Sequence, residues 1–459
     1  MISIAVLPFI DLSEDQDNEF FGDGIAEELR NALMGVGGLQ VAARASSFYF
    51  KGRGASPQTI GDSLSVGLVL EGTFRQVGDR IRITAELTDT ETGFGVWSER
   101  YDRAENDALA VQDELTRAIV SALEITLSAD DVDESSIKGE ITADEAEAYR
   151  LYLQGKFQWN KRTDTGLRSA IDLLEESVRL NGDYAPAYAH LSMAHTILMD
   201  WGFARPSDAI PFGLKYARMA IELDADDPEA HAAMGMAYAK NMAWDDAEVS
   251  LDRAISLRSD YAMAIHWRGL HAVFRQETAK GLSLMEKASD LDPLSLIIGL
   301  NYGWVLGLSG DIDAGIEQLK RVQSLYGDHI GLILQWSSLL TRKGQITEAI
   351  ELWEPLYETG ARDPFLMWKL GTLYARNGQE EQAHEILSEW YTMNDKYYMP
   401  APIPATIYAW LGETELAIEF FQRSLEERSA FLSWSLVTPL PPEFEANPRY
   451  QRIVDEIGL

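Results

Sequence analysis

The chain has 459 residues, no cysteine, and 73 acidic against 39 basic side chains, a formal charge of −34. That balance argues against nucleic acid, whose binding relies on clustered Lys and Arg, and equally against docking on anionic lipid. The lack of cysteine excludes disulfides, iron–sulfur clusters, Cys-ligated zinc and thiol nucleophiles, while 46% hydrophobic and 24% charged residues exclude bulk disorder.

The first third alternates strand and helix signals. Residues 4–9, Ile-Ala-Val-Leu-Pro-Phe, read as a buried strand directly after Met1, without the basic start and cleavage site of a signal peptide. A cytoplasmic location is expected for the chain as written, and a periplasmic one if it is a piece of a longer membrane-anchored protein. An acidic loop follows, with Asp11, Glu14, Asp15, Asp17, Glu19 and Asp23, and then a helix from about Ile25 to Met34. Gln40–Ala43 reads as a short strand, and Pro57–Ser65 as a helix with Pro in its first turn. Strands over Leu68–Gln76 and Arg80–Thr88 join through Val77-Gly78-Asp79, a hairpin signal. Phe94–Tyr101 adds a strand and Asn106–Leu127 a closing helix. The order β-α-β-α-β-β-β-α gives a small α+β domain, a mixed sheet with helices, over residues 1–128.

Few residues in this domain carry chemistry. Gly22-Asp23-Gly24 opens a helix as a phosphate turn would, but it lies far from the strand, and Glu27 stands where the third glycine belongs. Asp15-x-Asp17-x-Glu19 has calcium-like spacing, yet Phe20 replaces the glycine an EF-hand loop needs. Residues 1–128 hold no His and no Cys, so His-based triads and His or Cys metal sites cannot be built there. No catalytic, cofactor or metal residue is therefore expected. Arg44, Lys51, Arg53, Arg75, Arg80 and Arg82 form a basic cluster that reads either as an anion patch or as a solvated face with local ion pairs.

Five motifs in order carry a family resemblance: Ser3-Ile-Ala-Val-Leu-Pro-Phe9, Phe21-Gly-Asp-Gly-Ile-Ala-Glu-Glu28, Ala43-Arg-Ala-Ser-Ser-Phe-Tyr-Phe-Lys-Gly52, Val69-Leu-Glu-Gly-Thr-Phe74 and Trp97-Ser-Glu-Arg-Tyr-Asp-Arg103. Over residues 2 to about 125 the chain resembles the domain similar to the TolB amino-terminal domain, found in bacterial signalling proteins ahead of tetratricopeptide repeats. In that family it often follows a class III nucleotide cyclase or a winged-helix DNA-binding domain. Neither is present in the chain as written, so the resemblance implies a regulatory half without its effector, and it brings no catalytic residues.

Residues 129–144 read as an acidic, solvated linker, with Asp130, Asp131, Asp133 and Glu134. Beyond it a 34-residue period appears. Stepping by 34 from Gly235 meets Gly269, Gly303, Ser337, Gly371 and Ala405, and from Ala247 meets Gly281, Gly315, Ala349, Ala383 and Ala417. A small residue on each of two antiparallel helices lets the pair approach closely, and with Tyr238, Tyr374 and Tyr408 following in phase this is the tetratricopeptide pattern. Six units keep strict register from about 228 to 431, and two looser ones open at Glu147 and Ala185. The fold class is thus a small α+β domain followed by an all-α superhelical solenoid of about eight pairs over 145–431. Residues 432–459 are expected to cap its exposed end. Asp292-Pro293 and Asp363-Pro364 are expected to start helices. Pro293–Gly310 is free of charge and has GxxxG spacing, but the repeat register claims it as a solenoid helix. All seven histidines lie in this region, and the pairs His190/His195 and His266/His271 are five apart, so neither shares a helix face as a metal pair would.

With Gly235 and its equivalents as position 8 of each unit, positions 5, 9 and 12 share a face by their i, i+4, i+7 spacing, which in this repeat family lines the concave surface, and position 13 borders it. The candidate partner-binding residues on that face are His266, Phe274, Trp304, Arg342, Trp368, Thr372, Arg376 and Trp410. Phe274, Trp304, Trp368 and Trp410 are expected to be exposed anchors, and Arg342 and Arg376 to hold an acidic group or terminal carboxylate. The favoured function is a non-catalytic interaction scaffold that takes a protein or peptide in the groove, with no cofactor, nucleic acid or membrane insertion. Two other readings stand beside it: an enzymatic or nucleotide-binding α/β domain regulated by the array, and a self-assembly module whose groove holds a second copy or its own tail.

Overall fold

The computed structural model describes residues 2–13, 18–77, 80–104, 108–122 and 142–458. The calcium-like Asp15 and Asp17, the hairpin tip at 78–79 and all but the end of the acidic linker lie outside the described residues. The chain divides into two compact units, residues 1–187 with 291–295, and residues 188–290 with 296–459.

In the first unit the elements are β1 (Ile2–Val6), β2 (Ile10–Asp11), α1 (Glu19–Met34), β3 (Leu39–Val41), α2 (Arg44–Phe48), α3 (Pro57–Leu64), β4 (Leu68–Val77), β5 (Arg80–Asp89), β6 (Gly95–Ala104) and α4 (Ala108–Ala122). The sheet runs β3-β1-β4-β5-β6, with β2 beside β4. β1 is parallel to β3 and β4, whereas β4, β5 and β6 are antiparallel, which makes the sheet mixed. Polar–apolar alternation in β5 turns Ile81, Ile83, Ala85 and Leu87 into the core. α1 starts at Glu19, earlier than the acidic loop suggested, because an acidic first turn suits the positive end of the helix dipole. Gly22 serves packing: a Cβ there would lie 2.2 Å from the Phe9 carbonyl oxygen.

A pair of helices, α5 (Ala143–Asn160) and α6 (Asp164–Leu180), completes this unit. Thr142 Oγ1 accepts from the Glu145 N–H while Glu145 accepts from the Thr142 N–H, a capping box that fixes where α5 begins. Segment 291–295 also belongs here, and the Asp292 carboxylate accepts from Ser46 N (2.8 Å) and Oγ (2.5 Å). With that side chain engaged, the next helix begins at Leu296 and not at Pro293 as expected.

Seven more helix pairs follow along the chain. They are α7/α8 (Ala185–Asp200, Pro206–Leu223), α9/α10 (Pro228–Lys240, Trp244–Leu257), α11/α12 (Ala262–Phe274, Thr278–Leu291) and α13/α14 (Leu296–Leu308, Ile312–Tyr326). Then come α15/α16 (Ile330–Lys343, Ile346–Glu358), α17/α18 (Pro364–Arg376, Glu380–Asn394) and α19/α20 (Pro402–Leu411, Thr414–Glu426). Three short helices end the chain: α21 (Ala430–Leu436), α22 (Pro442–Glu445) and α23 (Pro448–Ile457). This is the all-helical tetratricopeptide-type repeat region. Its small positions meet: a Cβ on Gly315 would lie 2.6 Å from the Gly303 carbonyl oxygen, which leaves no room for a side chain between α13 and α14. Where position 8 is Ser337, its hydroxyl accepts from the Trp353 indole N–H at 3.0 Å, so the exception is also a packing choice. α13 has 13 residues, about 20 Å at 1.5 Å each, well short of a bilayer core. Among the described residues no helix is long and apolar enough to cross a membrane.

Within the second unit the array curls back on itself. Trp244 Nε1 on α10 donates to the Ile457 carbonyl at 2.7 Å, and a Cβ on Gly202 would lie 3.1 Å from Pro364 and from Pro400. Phe444 and Tyr450 cover Phe421 of the last pair.

Candidate functional site: the concave face of the array

Helices α13, α15 and α17 bring five of the eight candidate residues into one place. Trp304, Arg342, Trp368, Thr372 and Arg376 line a pocket of about 50 Å³, together with Ser338, Lys369, Phe365 and the segment from Trp434 to Pro439. His266 lies elsewhere on the face, where its Nε2 meets the Asn301 amide at 2.9 Å and Asn301 accepts in turn from Gln335 at 3.1 Å. Trp410 borders the pocket and donates its indole N–H to the Pro439 carbonyl at 3.3 Å.

The expectation of solvent-facing anchors is corrected. Phe274 and Trp304 are 4% exposed and Trp368 is 1% exposed, with His266 and Thr372 also buried and Trp410 partly so. The cover is the chain's own segment 430–439. The Phe431 ring lies 4.7 Å from Phe365 and 5.6 Å from Trp368, and the Trp434 ring lies 5.1 Å from both Phe274 and Trp304. Lys240 stands over Phe274 and Trp434, and Arg342 Nη2 donates to the Val437 carbonyl at 2.9 Å. A row of exposed aromatics is an association hazard, and these residues remove it. So α21 does not extend the array beyond its last pair as a cap would; the packing on Phe421 comes from α22 and α23.

Electrostatically the pocket is one-sided. Arg342, Lys369 and Arg376 all line it, and none has a carboxylate ion-pair partner among the described residues. Lys369 lies 4.1 Å over the Trp368 ring and Arg376 4.7 Å over that of Trp410, so ring faces stand where carboxylates usually do. Burial, reinforced by the neighbouring Arg342 charge, pushes the Lys369 ammonium down to about 7. Burial and then Arg376 lower Arg342 in the same way. Lys369 was not among the candidates because it lies at position 6, off the face of positions 5, 9 and 12 and its border at 13, but a signal existed. Stepping by 34 from Asn301 meets Gln335 and then Lys369, so it continues the polar row that begins at His266.

The basic cluster of the first unit is not an open anion patch. Arg44 Nε pairs with Glu27 at 2.8 Å, and Lys51 with Glu19 and Asp23, each at 2.6 Å. Arg80 and Arg82 share the two carboxylate oxygens of Asp102, which β6 places beside them, and Arg53 stacks 3.9 Å over Tyr49. Arg75 Nε donates to the Leu12 carbonyl. A cavity of about 240 Å³ does lie among α1, α2 and α5, lined by Phe20, Asp23, Arg44, Lys156 and Lys161. Its most buried cation, Lys156, is held by Glu27 at 3.1 Å and Glu28 at 3.3 Å. Burial alone would raise the Glu27 carboxyl, but Arg44, Lys156 and Arg30 outweigh it and hold the group far below the usual carboxylate range. No cluster of metal-ligating side chains occurs among the described residues.

No family model matches the chain. Over 251 residues it is 36% identical to a protein named putative adenylate cyclase 3 of Rhizobium meliloti (strain 1021), which is 54% of this chain and 42% of that protein. The chain spans less than half the length of the curated relatives it matches. Among solved structures it is similar to the anaphase-promoting-complex hetero-tetramer Cut9–Hcn1 (TM-score 0.44, 12% identity, 72% of this chain and 71% of that one). It is also similar to a thermophilic tetratricopeptide-repeat protein of Thermus thermophilus (TM-score 0.37, 15% identity, 42% of this chain and 99% of that one).

Proposed function

We propose that the chain is a non-catalytic interaction module of a bacterial signalling protein, with a TolB-like α/β half and a helical array whose concave face takes a protein segment. The observation that carries this reading is the occupancy of that face. Residues 430–439 lie on it as a peptide ligand would, with Phe431 and Trp434 on the aromatic row and the Val437 and Pro439 carbonyls on Arg342 and Trp410. A surface that holds one short aromatic segment by side-chain packing and backbone carbonyls has the chemistry to hold another. The named similarity to a putative adenylate cyclase supports a signalling context, and the motifs of residues 2–125 support the TolB-like assignment. Basic residues already paired with carboxylates, and the absence of His and Cys from 1–128, support a regulatory and not an enzymatic α/β half.

The same occupancy favours a second reading, in which the face serves only the chain's own tail. Panning a random peptide display library, in phosphate-free buffer, against the full chain and against its Phe431→Ala/Trp434→Ala variant separates the two. Aromatic-containing peptides retained by both proteins support the interaction module. Retention by the variant alone supports the self-bound array, and retention by neither removes the interaction reading.

A further inference from the structure

The three cations of the concave face have no counterpart elsewhere in this unit. Arg342 and Arg376 hold the same repeat position one unit apart, and Lys369 precedes Arg376 by seven residues, two helical turns along one face. All three are half-buried, withdrawn from bulk water but not sealed from it. A chain with 73 acidic side chains has ample means to pair them, and Lys240, Arg268 and Lys156 each have carboxylates within reach. The pocket of Arg342, Lys369 and Arg376 receives none.

The other polar groups around it cannot substitute. Ser338 Oγ donates to the Leu334 carbonyl (2.9 Å), Thr341 Oγ1 to that of Ser337 (2.6 Å) and Thr438 Oγ1 to that of Trp434 (3.0 Å). These hydroxyls are neutral and their protons are already donated. The donors left are the guanidinium and ammonium N–H groups, apart from the one Arg342 gives to Val437, together with the buried Trp434 indole N–H, which has no hydrogen-bond partner among the described residues. The free volume of about 50 Å³ compares with roughly 10–15 Å³ for a single water, so the space suits one small polyatomic ion and not a peptide.

We propose that Arg342, Lys369 and Arg376 form a binding site for a small free oxyanion of the phosphate class, closed on one side by the segment from Trp434 to Pro439. Planar guanidinium forks suit the paired oxygens of phosphate, and a dianion matches two guanidinium charges and a neighbouring lysine that it draws into the protonated form better than a monocarboxylate does. The proposal deepens the reading of the concave face as the binding face, and rests on it, by naming the chemistry at its centre. A bound anion relieves the mutual repulsion of the three cations and so tightens the hold of Arg342 on Val437.

The test is calorimetric titration of inorganic phosphate into the full chain at pH 7, with ionic strength held constant by chloride. One saturable site is expected, weakened about ten- to hundredfold in Lys369→Met and in Arg376→Ala, the effect of removing a charge-assisted hydrogen bond. The melting temperature should rise with phosphate in the native chain and rise less in Lys369→Met, which discounts the general stabilisation by this salt. Absence of saturable heat, or an identical isotherm in both variants, overturns the proposal. Succinate titrated in parallel should bind at least tenfold more weakly, and equal binding overturns the assignment to phosphate. If Arg376→Ala fails to melt cooperatively, Lys369→Met alone decides. Peptide retention in phosphate-free buffer without phosphate binding removes only this site; phosphate binding without peptide retention removes only the interaction module.

Discussion

The guanidinium of Arg342 donates to the carbonyl of Val437 at 2.9 Å, tying the middle of the array to the segment that follows its last helix pair. Phe431, 1% exposed, anchors the same segment between Phe365 and Trp368. Phe431→Ala should lower unfolding free energy by about 3–5 kcal/mol, the usual cost of deleting a buried aromatic. Urea titration reads the loss, and limited proteolysis should cut first within 428–441. Unchanged stability would mean that the segment is not integral to the unit.

Close approach of α13 and α14 gives a second prediction. A Cβ on Gly315 would lie 2.6 Å from a backbone oxygen, which cannot turn aside as a side chain can. Gly315→Ala should cost about 1–3 kcal/mol despite the better helix propensity of Ala. A gain in melting temperature would contradict the helix-pair packing derived from the 34-residue period.

Much of the fold was legible because its causes are local or periodic. The β5 alternation and the small positions of the repeat both announce themselves in the sequence. The array face was legible in part: register placed Arg342, Trp368, Thr372 and Arg376 together, since residues 34 apart stack on neighbouring units. What covers that face was not legible, because Phe431 and Trp434 meet Trp368 and Trp304 through tertiary curling that no period encodes. The basic cluster of the first unit failed for a related reason. Asp102 neutralises Arg80 and Arg82 only through strand register, and Glu27 reaches Arg44 only through the packing of α1.

Lys156, 4% exposed between Glu27 and Glu28, gives a third prediction. Lys156→Met should destabilise the first unit by about 3–5 kcal/mol, since it leaves buried carboxylates short of a partner. Glu27 is depressed in the folded chain, so its contribution is present above the unfolded carboxylate range and is lost as pH falls. Without Lys156 that loss begins at higher pH, and the acid-unfolding midpoint should move upward. A midpoint that stays in place or moves down would show that Lys156 does not hold Glu27.

His195 packs against Phe212 and Tyr216, and burial lowers it to about 4. The unfolded chain takes up this proton near pH 6.5 and the folded chain does not, so the contribution falls as pH drops from about 6.5 to 4. His195→Phe should flatten that part of the stability profile. An unaltered slope would place the acid sensitivity elsewhere.

Whether the concave face takes a short aromatic segment is measured most plainly with the segment it already holds. A labelled peptide of residues 429–440, Ser-Ala-Phe-Leu-Ser-Trp-Ser-Leu-Val-Thr-Pro-Leu, is titrated by fluorescence anisotropy with the Phe431→Ala/Trp434→Ala chain, whose cooperative melting is checked first. Saturable binding is predicted, at least tenfold weaker once Arg342→Ala is added, and weaker but still measurable with the native chain, whose own segment competes for the face. A folded variant that does not bind the peptide, or binds it equally well without Arg342, would contradict the account.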